Sequence, residues 1–259
     1  MELVVLGSSG WFPRGPRATT SLAVREEDRL IVFDAGTGIA HLREEGFRHL
    51  VPESGEIHLF LSHLHLDHTV GLSFLPALWS NPVVLYVPDR ETTGYPPGEV
   101  LDRLIGPPFF PHGFAGFPMD IRIEPLADGE FEIPPLRVRV RRQNHPGGSF
   151  GFRVDDRLVF LTDTIYDEGS ADFARGARLL VHEAWIRGHE DPEQLKAGLN
   201  AHTSAEGAAR VARDAGVEEL LLSHLTPLRN DDFHQEMLAT ARAIFPRTHL
   251  CRDGLSRLL

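Results

Sequence analysis

The chain of 259 residues can bury a sizeable core, and its balance of 42% apolar to 24% charged residues excludes disorder as the bulk state. A net charge of −11 opposes the approach of polyanions, so no stable nucleic-acid complex is expected. No apolar run approaches the roughly 20 residues that span a bilayer, and MELVVLGSSGWFPRG lacks the basic start and cleavage site of an export signal, so a cytoplasmic address and no membrane partner are expected.

Short apolar, β-rich runs recur along the chain: LVVLG (3–7), RLIVFDAG (29–36), IHLFLSH (57–63), VVLYVP (83–88), LRVRVRR (136–142), RLVFLTDT (157–164), RLLVHEA (178–184) and ELLLSH (219–224). Each ends in a turn-forming or polar cluster, as strands do. The stretch 89–118, rich in Pro, Gly and Phe, reads as a lid, a binding loop or an oligomer contact, with a packed crossover carrying a short helix at EVLDRLI as the alternative. TSAEGAARVARDAGV (203–217) has helical spacing, with Thr203 and Glu206 as a capping box and Gly216 as the C-terminal cap. A second helix is expected from about Asp231 to Ile244. The single cysteine, Cys251, cannot form an internal disulfide and reads as a near-terminal strand residue. Strands early and strand–helix alternation later predict a layered α/β protein, one domain over 1–259.

The chemistry concentrates in IHLFLSHLHLDH. Imidazole and carboxylate suit zinc and its neighbours. If the strand continued, the i, i+2 spacing would put His63 and His65 on one side, with Asp67 and His68 following in the turn. Four ligands in six residues fit two adjacent metals better than one tetrahedral site. His145 follows the LRVRVRR strand, Asp163 follows RLVFL and His224 follows ELLL. An ionisable group directly after a buried strand needs compensation, which packing alone does not supply.

H-x-H-x-D-H at 63–68, then His145, Asp163 and His224 at strand ends, with FDAG before them at 33–36, resembles the metallo-β-lactamase fold superfamily over nearly the whole chain. The resemblance implies a four-layer αββα sandwich with two divalent ions along one edge. By position, His63, His65 and His145 would hold one ion; Asp67, His68 and His224 would hold the other; Asp163 would bridge them. Zinc is the expected metal, with manganese or iron as alternatives, and Asp34 would orient ligands from behind. Two bridged metals lower the pKa of a shared water, so the implied outcome is hydrolysis, with Asp67 placed to hold or deprotonate that water.

Two further motifs look like the ribonuclease Z-like branch. In AHTSAEG, His202 would protonate the leaving oxygen, at a helix N-terminus where phosphate is also favoured. VHEAW (181–185) resembles the branch's His-Glu-Ala-Thr element, so Glu183 would orient His202, and Trp185 stands in place of the usual Thr. Members that process transfer RNA insert a long arm between the equivalents of His145 and Asp163, whereas only PGGSFGFRVDDRLVFLT stands there in this chain, and FDAGTG replaces their Cys-Gly-Glu loop. The expected substrate is therefore a small or cyclic phosphodiester. Hydrolysis of a thioester, lactone or lactam, transfer-RNA 3′ processing, and a non-catalytic metal-dependent sensor are the alternatives. Arg14, Arg17 and Thr203 are candidate substrate contacts. Arg137, Arg139 and Arg141 form a basic row on one strand face, solvated or else steering phosphate toward His145. A homodimer through 89–118 is a candidate assembly.

Overall fold

Strands that are apolar on both faces need cover on both sides. The long runs of this chain meet that need in two seven-stranded sheets packed face to face, with helices outside each. The computed structural model describes residues 1–188 and 201–259.

The first sheet comprises β1 (Glu2–Gly7), β2 (Ser21–Glu26), β3 (Arg29–Phe33), β4 (Ile57–Phe60), β5 (Val83–Pro88) and β6 (Ile121–Leu126), with β14 (Ser256–Leu258) beside β1. The second runs β13-β12-β11-β10-β9-β8-β7, from β7 (Gly129–Ile133), β8 (Leu136–Gln143), β9 (Ser149–Val154), β10 (Leu158–Leu161), β11 (Leu179–Glu183), β12 (Glu219–Ser223) and β13 (Thr248–Leu250). In β3, Ile31 and Phe33 enter the core between the sheets, where Phe33 and Phe152 stand 4.8 Å apart between ring centroids. Leu30 and Val32 pack the other way, with Ile39, Leu42, Leu72 and Leu75. Full burial of each such side chain contributes roughly 1.5–3 kcal/mol. Outside the second sheet, Leu180, Leu220 and Leu222 pack with Ala205, Ala208 and Ala212 of the helix Ala205–Ala215 and with Met237 of the helix Asp231–Ile244.

Strands β3 to β6 are mutually parallel, and so are β10 to β13. Their carboxyl ends carry the loops on which ligand-binding residues of open α/β sheets gather.

Several expectations need correction. The helix after His202 is capped by Ser204, whose hydroxyl accepts the Gly207 N–H at 2.9 Å, so the cap lies one residue beyond Thr203. Gly216 ends that helix in the left-handed region as expected. Strand β4 stops at Phe60, and His63 and His65 lie in the following loop with their ring centroids 4.4 Å apart. The stretch 89–118 carries helices Arg90–Thr93 and Pro97–Leu104 and buries Leu101, Phe114 and Phe117 in the outer core, so it is a packed crossover. Strands β2, β6, β7, β9, β13 and β14 were not among the expected runs. Among the described residues, no helix is long and apolar enough to cross a membrane.

Candidate active site

Three residues at strand ends adopt a backbone that side chains disfavour. Asp34, Asp163 and His224 follow β3, β10 and β12 with φ of 61°, 42° and 50°. Such conformations cost about 1–3 kcal/mol each and persist where the surroundings over-determine them. Among the described residues the other non-glycine cases are Trp11, which also reaches this site, and Glu27 and Asp155 in turns between strands.

Asp34 is fully buried and explains how the first cluster is held. Its Oδ1 accepts the Ser62 N–H at 2.7 Å, and its Oδ2 accepts the Ser62 hydroxyl and the His68 Nδ1–H, both at 2.8 Å. The Ser62 hydroxyl, having given its proton to Asp34, accepts from His63 Nδ1 at 3.0 Å. His145 Nδ1–H donates to the Ala201 carbonyl at 2.7 Å. With their Nδ1 protons committed, His63, His68 and His145 turn lone pairs on Nε2 toward the centre.

The inward atoms fall into two groups joined by Asp163. Oδ2 of Asp163 is 3.7 Å from His63 Nε2 and 3.8 Å from His145 Nε2, and His145 Nε2 is 3.4 Å from His65 Nδ1. Oδ1 of Asp163 is 3.2 Å from His68 Nε2 and 3.3 Å from His224 Nε2, with Asp67 Oδ2 3.4 Å from the former and 3.3 Å from the latter. Donors at about 2.0–2.2 Å from a tetrahedral ion would be roughly 3.3–3.6 Å apart, close to these spacings. Buried His63 Nε2 has no hydrogen-bond partner among the described residues, and facing lone pairs repel unless a cation lies between them. The donor set therefore fits divalent metals, and the two groups that could hold them are His63, His65, His145 with Asp163, and Asp67, His68 with His224.

The electrostatics agree. Burial alone would raise the Asp163 carboxyl, but His224, His68 and His63 around it hold it well below the usual carboxylate range. Asp67 behaves the same way, pushed up by burial and pulled far down by His68 and His224. Burial depresses His63, whereas Asp163, Asp34 and Asp67 overcome burial and hold His68 well above its ordinary value, so an ion binding there would have to displace a proton from His68 Nε2.

His202 sits at the edge of this centre. Its Nδ1–H donates to Oε2 of fully buried Glu183 at 2.9 Å, and Glu183 Oε1 accepts the Thr164 N–H. Burial opposes the imidazolium, but Glu183, with Asp163 and Asp67 behind it, pushes His202 up to about 9. Nδ1 also lies 3.8 Å from Asp163 Oδ2, and His202, Asp163 and His224 form a third group that could hold metal, with Nδ1 already bonded to Glu183. Trp185 stacks on the His202 ring at 4.7 Å and 18°. The Trp185 N–H donates to the Thr203 carbonyl, which clamps the segment carrying His202 against β11.

The candidate substrate residues are placed elsewhere. The Arg14 guanidinium donates to the carbonyls of Pro227 and Arg229, and Arg17 donates to the Cys251 carbonyl at 2.6 Å. Both line a separate cavity of about 200 Å³, so they anchor the loop rather than face the centre. Thr203 is fully buried with its hydroxyl on the Thr164 carbonyl, which removes it from substrate contact. Arg137 and Arg139 pair with Glu130 and Glu132 of β7, and Arg141 pairs with Asp167, so that row is a solvated face.

In the loop after β1, sequence reasoning picked Arg14 and Arg17 but missed Gly10 and Trp11. The Trp11 N–H donates to Asp67 Oδ2 at 2.7 Å, and Gly10 lies so close that a Cβ there would stand 2.5 Å from His224 Cε1 and 2.6 Å from the Trp185 ring. Trp11, Leu66, Trp185 and Leu228 wall a pocket of about 500 Å³ whose floor is His65, Asp67, Asp163, His202 and His224. The only signal was an aromatic pair directly after the glycine in SSGWF.

Comparison with known proteins fits this geometry. The model of the metallo-beta-lactamase superfamily matches residues 14–224. A protein named Ribonuclease Z from Prochlorococcus marinus (strain MIT 9313) is 30% identical, covering 99% of this chain and 97% of the relative. That alignment runs over 318 positions against 259 residues here, so the relative carries stretches without a counterpart. The metallo-beta-lactamase fold protein YhfI from Bacillus subtilis superposes with a TM-score of 0.78 at 20% identity, covering 99% and 98% of the two chains. A diphosphatase of the PhnP family superposes at 0.72 and 18% identity, covering 100% and 97%. The chain belongs to the metallo-beta-lactamase superfamily of hydrolases, on its ribonuclease Z-like branch.

Proposed function

We propose that this hydrolase is a dinuclear metal-dependent phosphodiesterase acting on a small phosphodiester. One divalent ion, zinc or else manganese or iron, would be held by His63, His65 and His145, and the other by Asp67, His68 and His224, with Asp163 available to both. When bound, such ions polarise the phosphoryl group and make the attacking water more acidic. Asp67 orients that water or takes its proton. Asp34 holds His68 in the tautomer that offers Nε2. His202, kept protonated at neutral pH by Glu183, donates from Nε2 to the departing oxygen.

The observation that carries this reading is the Glu183–His202 pair beside Asp163. A phosphodiester with a poor leaving group needs a proton donor at that place, and a structural metal site does not. A small substrate is supported by the short connection between β8 and β9, residues 144–148, and by the net charge of −11. Transfer-RNA 3′ processing is a second reading, favoured by the Ribonuclease Z name of a relative matched over 97% of its length.

The test is one panel on metal-loaded protein: bis(p-nitrophenyl) phosphate, a nucleoside cyclic phosphodiester, an acyl thioester and a transfer-RNA precursor. Preference for the small phosphodiesters is expected. Preference for the thioester would refute the reaction class, and efficient precursor cleavage would replace the small substrate by RNA.

A further inference from the structure

Trp11 is the most anomalous residue outside the metal-binding groups. A bulky side chain at φ 58° is a genuine outlier, and the residue is 60% exposed, so burial does not explain the strain. The loop is nevertheless held tightly. Trp11 N–H is fixed on Asp67, Gly10 N–H on the Leu225 carbonyl at 3.1 Å, and the Ser9 hydroxyl on the Phe12 carbonyl at 3.0 Å. Phe12 meets the indole edge to face at 5.3 Å. The fixed, strained backbone thus presents an exposed aromatic face at the mouth of the metal-site pocket.

Its neighbours at that mouth are also exposed and apolar, Leu66 at 67% and Leu228 at 56%. Exposed apolar surface gathered around a polar floor marks a ligand site. Among the described residues, no lysine or arginine lines this pocket. A substrate can therefore set its phosphate over the His/Asp floor, but further charge would find no partner on the walls.

We infer that Trp11, with Leu66 and Leu228, is a subsite for a planar aromatic group carried by the scissile phosphate, and that this group is a nucleobase. Stacking on an aromatic side chain accepts any base, because every base has a π-face, and it needs no cation. This rests on the phosphodiesterase reading and adds the determinant of specificity to it.

The experiment compares two esters with the same leaving group on metal-loaded protein: thymidine 5′-(p-nitrophenyl phosphate) and methyl p-nitrophenyl phosphate. Wild type is expected to prefer the nucleoside ester in kcat/KM, mainly through KM. Trp11→Ala should reduce the preference by about tenfold or more, the scale of one lost base stack, and Trp11→Phe should restore most of it. Equal loss on both esters, or no preference in wild type, would overturn the subsite. If neither ester turns over, the phosphodiesterase reading fails and calorimetry with thymidine 5′-monophosphate against methyl phosphate decides the subsite separately. Tighter binding of the nucleotide, lost in Trp11→Ala, would uphold the subsite, and equal binding would overturn it.

Discussion

The two sheets build one centre in different ways. The first supplies His63 and His65 from the loop after β4 and Asp67 and His68 from the one-turn helix Leu66–Thr69 that follows it, while the second supplies His145, Asp163 and His224 from three separate strand ends. In the first, local sequence brings the donors together, and a single buried carboxylate, Asp34, steadies the loop. In the second, nothing local joins the donors. Sheet register and two left-handed residues, Asp163 and His224, bring them into place. After a single loss in the compact half the protein should therefore keep more metal than after loss of the dispersed half's central residue, which serves both groups.

The largest expected effect contrasts Asp163→Ala with His65→Ala. Removing the carboxylate that faces both groups should empty the site of metal and lower kcat/KM on the order of 10³-fold or more. His65→Ala should leave about one ion on Asp67, His68 and His224, so the two variants should differ in metal content even though turnover, which needs both ions, is lost in each. Metal analysis of the two purified variants checks this, and an Asp163→Ala protein that kept both ions would break the contrast.

Gly10→Ala tests how finely the dispersed half is placed. The new Cβ would press on His224 and Trp185, and a displacement near 1 Å can cost about 10²-fold in rate. Gly46→Ala, whose Cβ meets nothing within 4 Å, should leave turnover unchanged. Steady-state kinetics on both variants makes the comparison.

For the edge of the site, His202→Ala should lower the rate by roughly 10² with a poor leaving group and by less with p-nitrophenolate, which needs no acid. Glu183→Gln should follow the same order with a loss of about 10- to 100-fold. Equal losses on both leaving groups would remove the acid role.

The smallest effect concerns the core rather than the site. Burial pushes the Cys251 thiol up from 9.0 to about 12. A folded pKa above the unfolded one contributes stability that is full below about pH 9 and is lost as pH rises through 12. Native protein should resist a thiol reagent at pH 8 and react only when denatured, and rapid native labelling would contradict the packing around β12 and β13.

This asymmetry also sets what was legible in the sequence. H-x-H-x-D-H could be read directly because its donors are neighbours in the chain. His145, Asp163 and His224 were legible only because each closes an apolar run, a position where packing gives an ionisable group no reason to be. Strand β9 was missed because Gly151 interrupts SFGFRV, where a Cβ would press on the ends of the Gln143 and Leu161 side chains. Strands β13 and β14 have three residues each, too few for a period to register. Arg14, Arg17 and Thr203 were misread for one reason: their polar groups satisfy backbone carbonyls that only the fold brings near. Trp11 was missed because an exposed aromatic in a loop has no periodicity, and its meaning lies in where the loop returns.

The central claim is that the two groups hold two ions that act together in phosphodiester hydrolysis. Chelated protein titrated with zinc or manganese, followed by turnover of bis(p-nitrophenyl) phosphate, tests it most directly. Activity should return only as the second equivalent binds and should level off there. Full activity at one equivalent, or no metal-stimulated turnover at saturation, would contradict it.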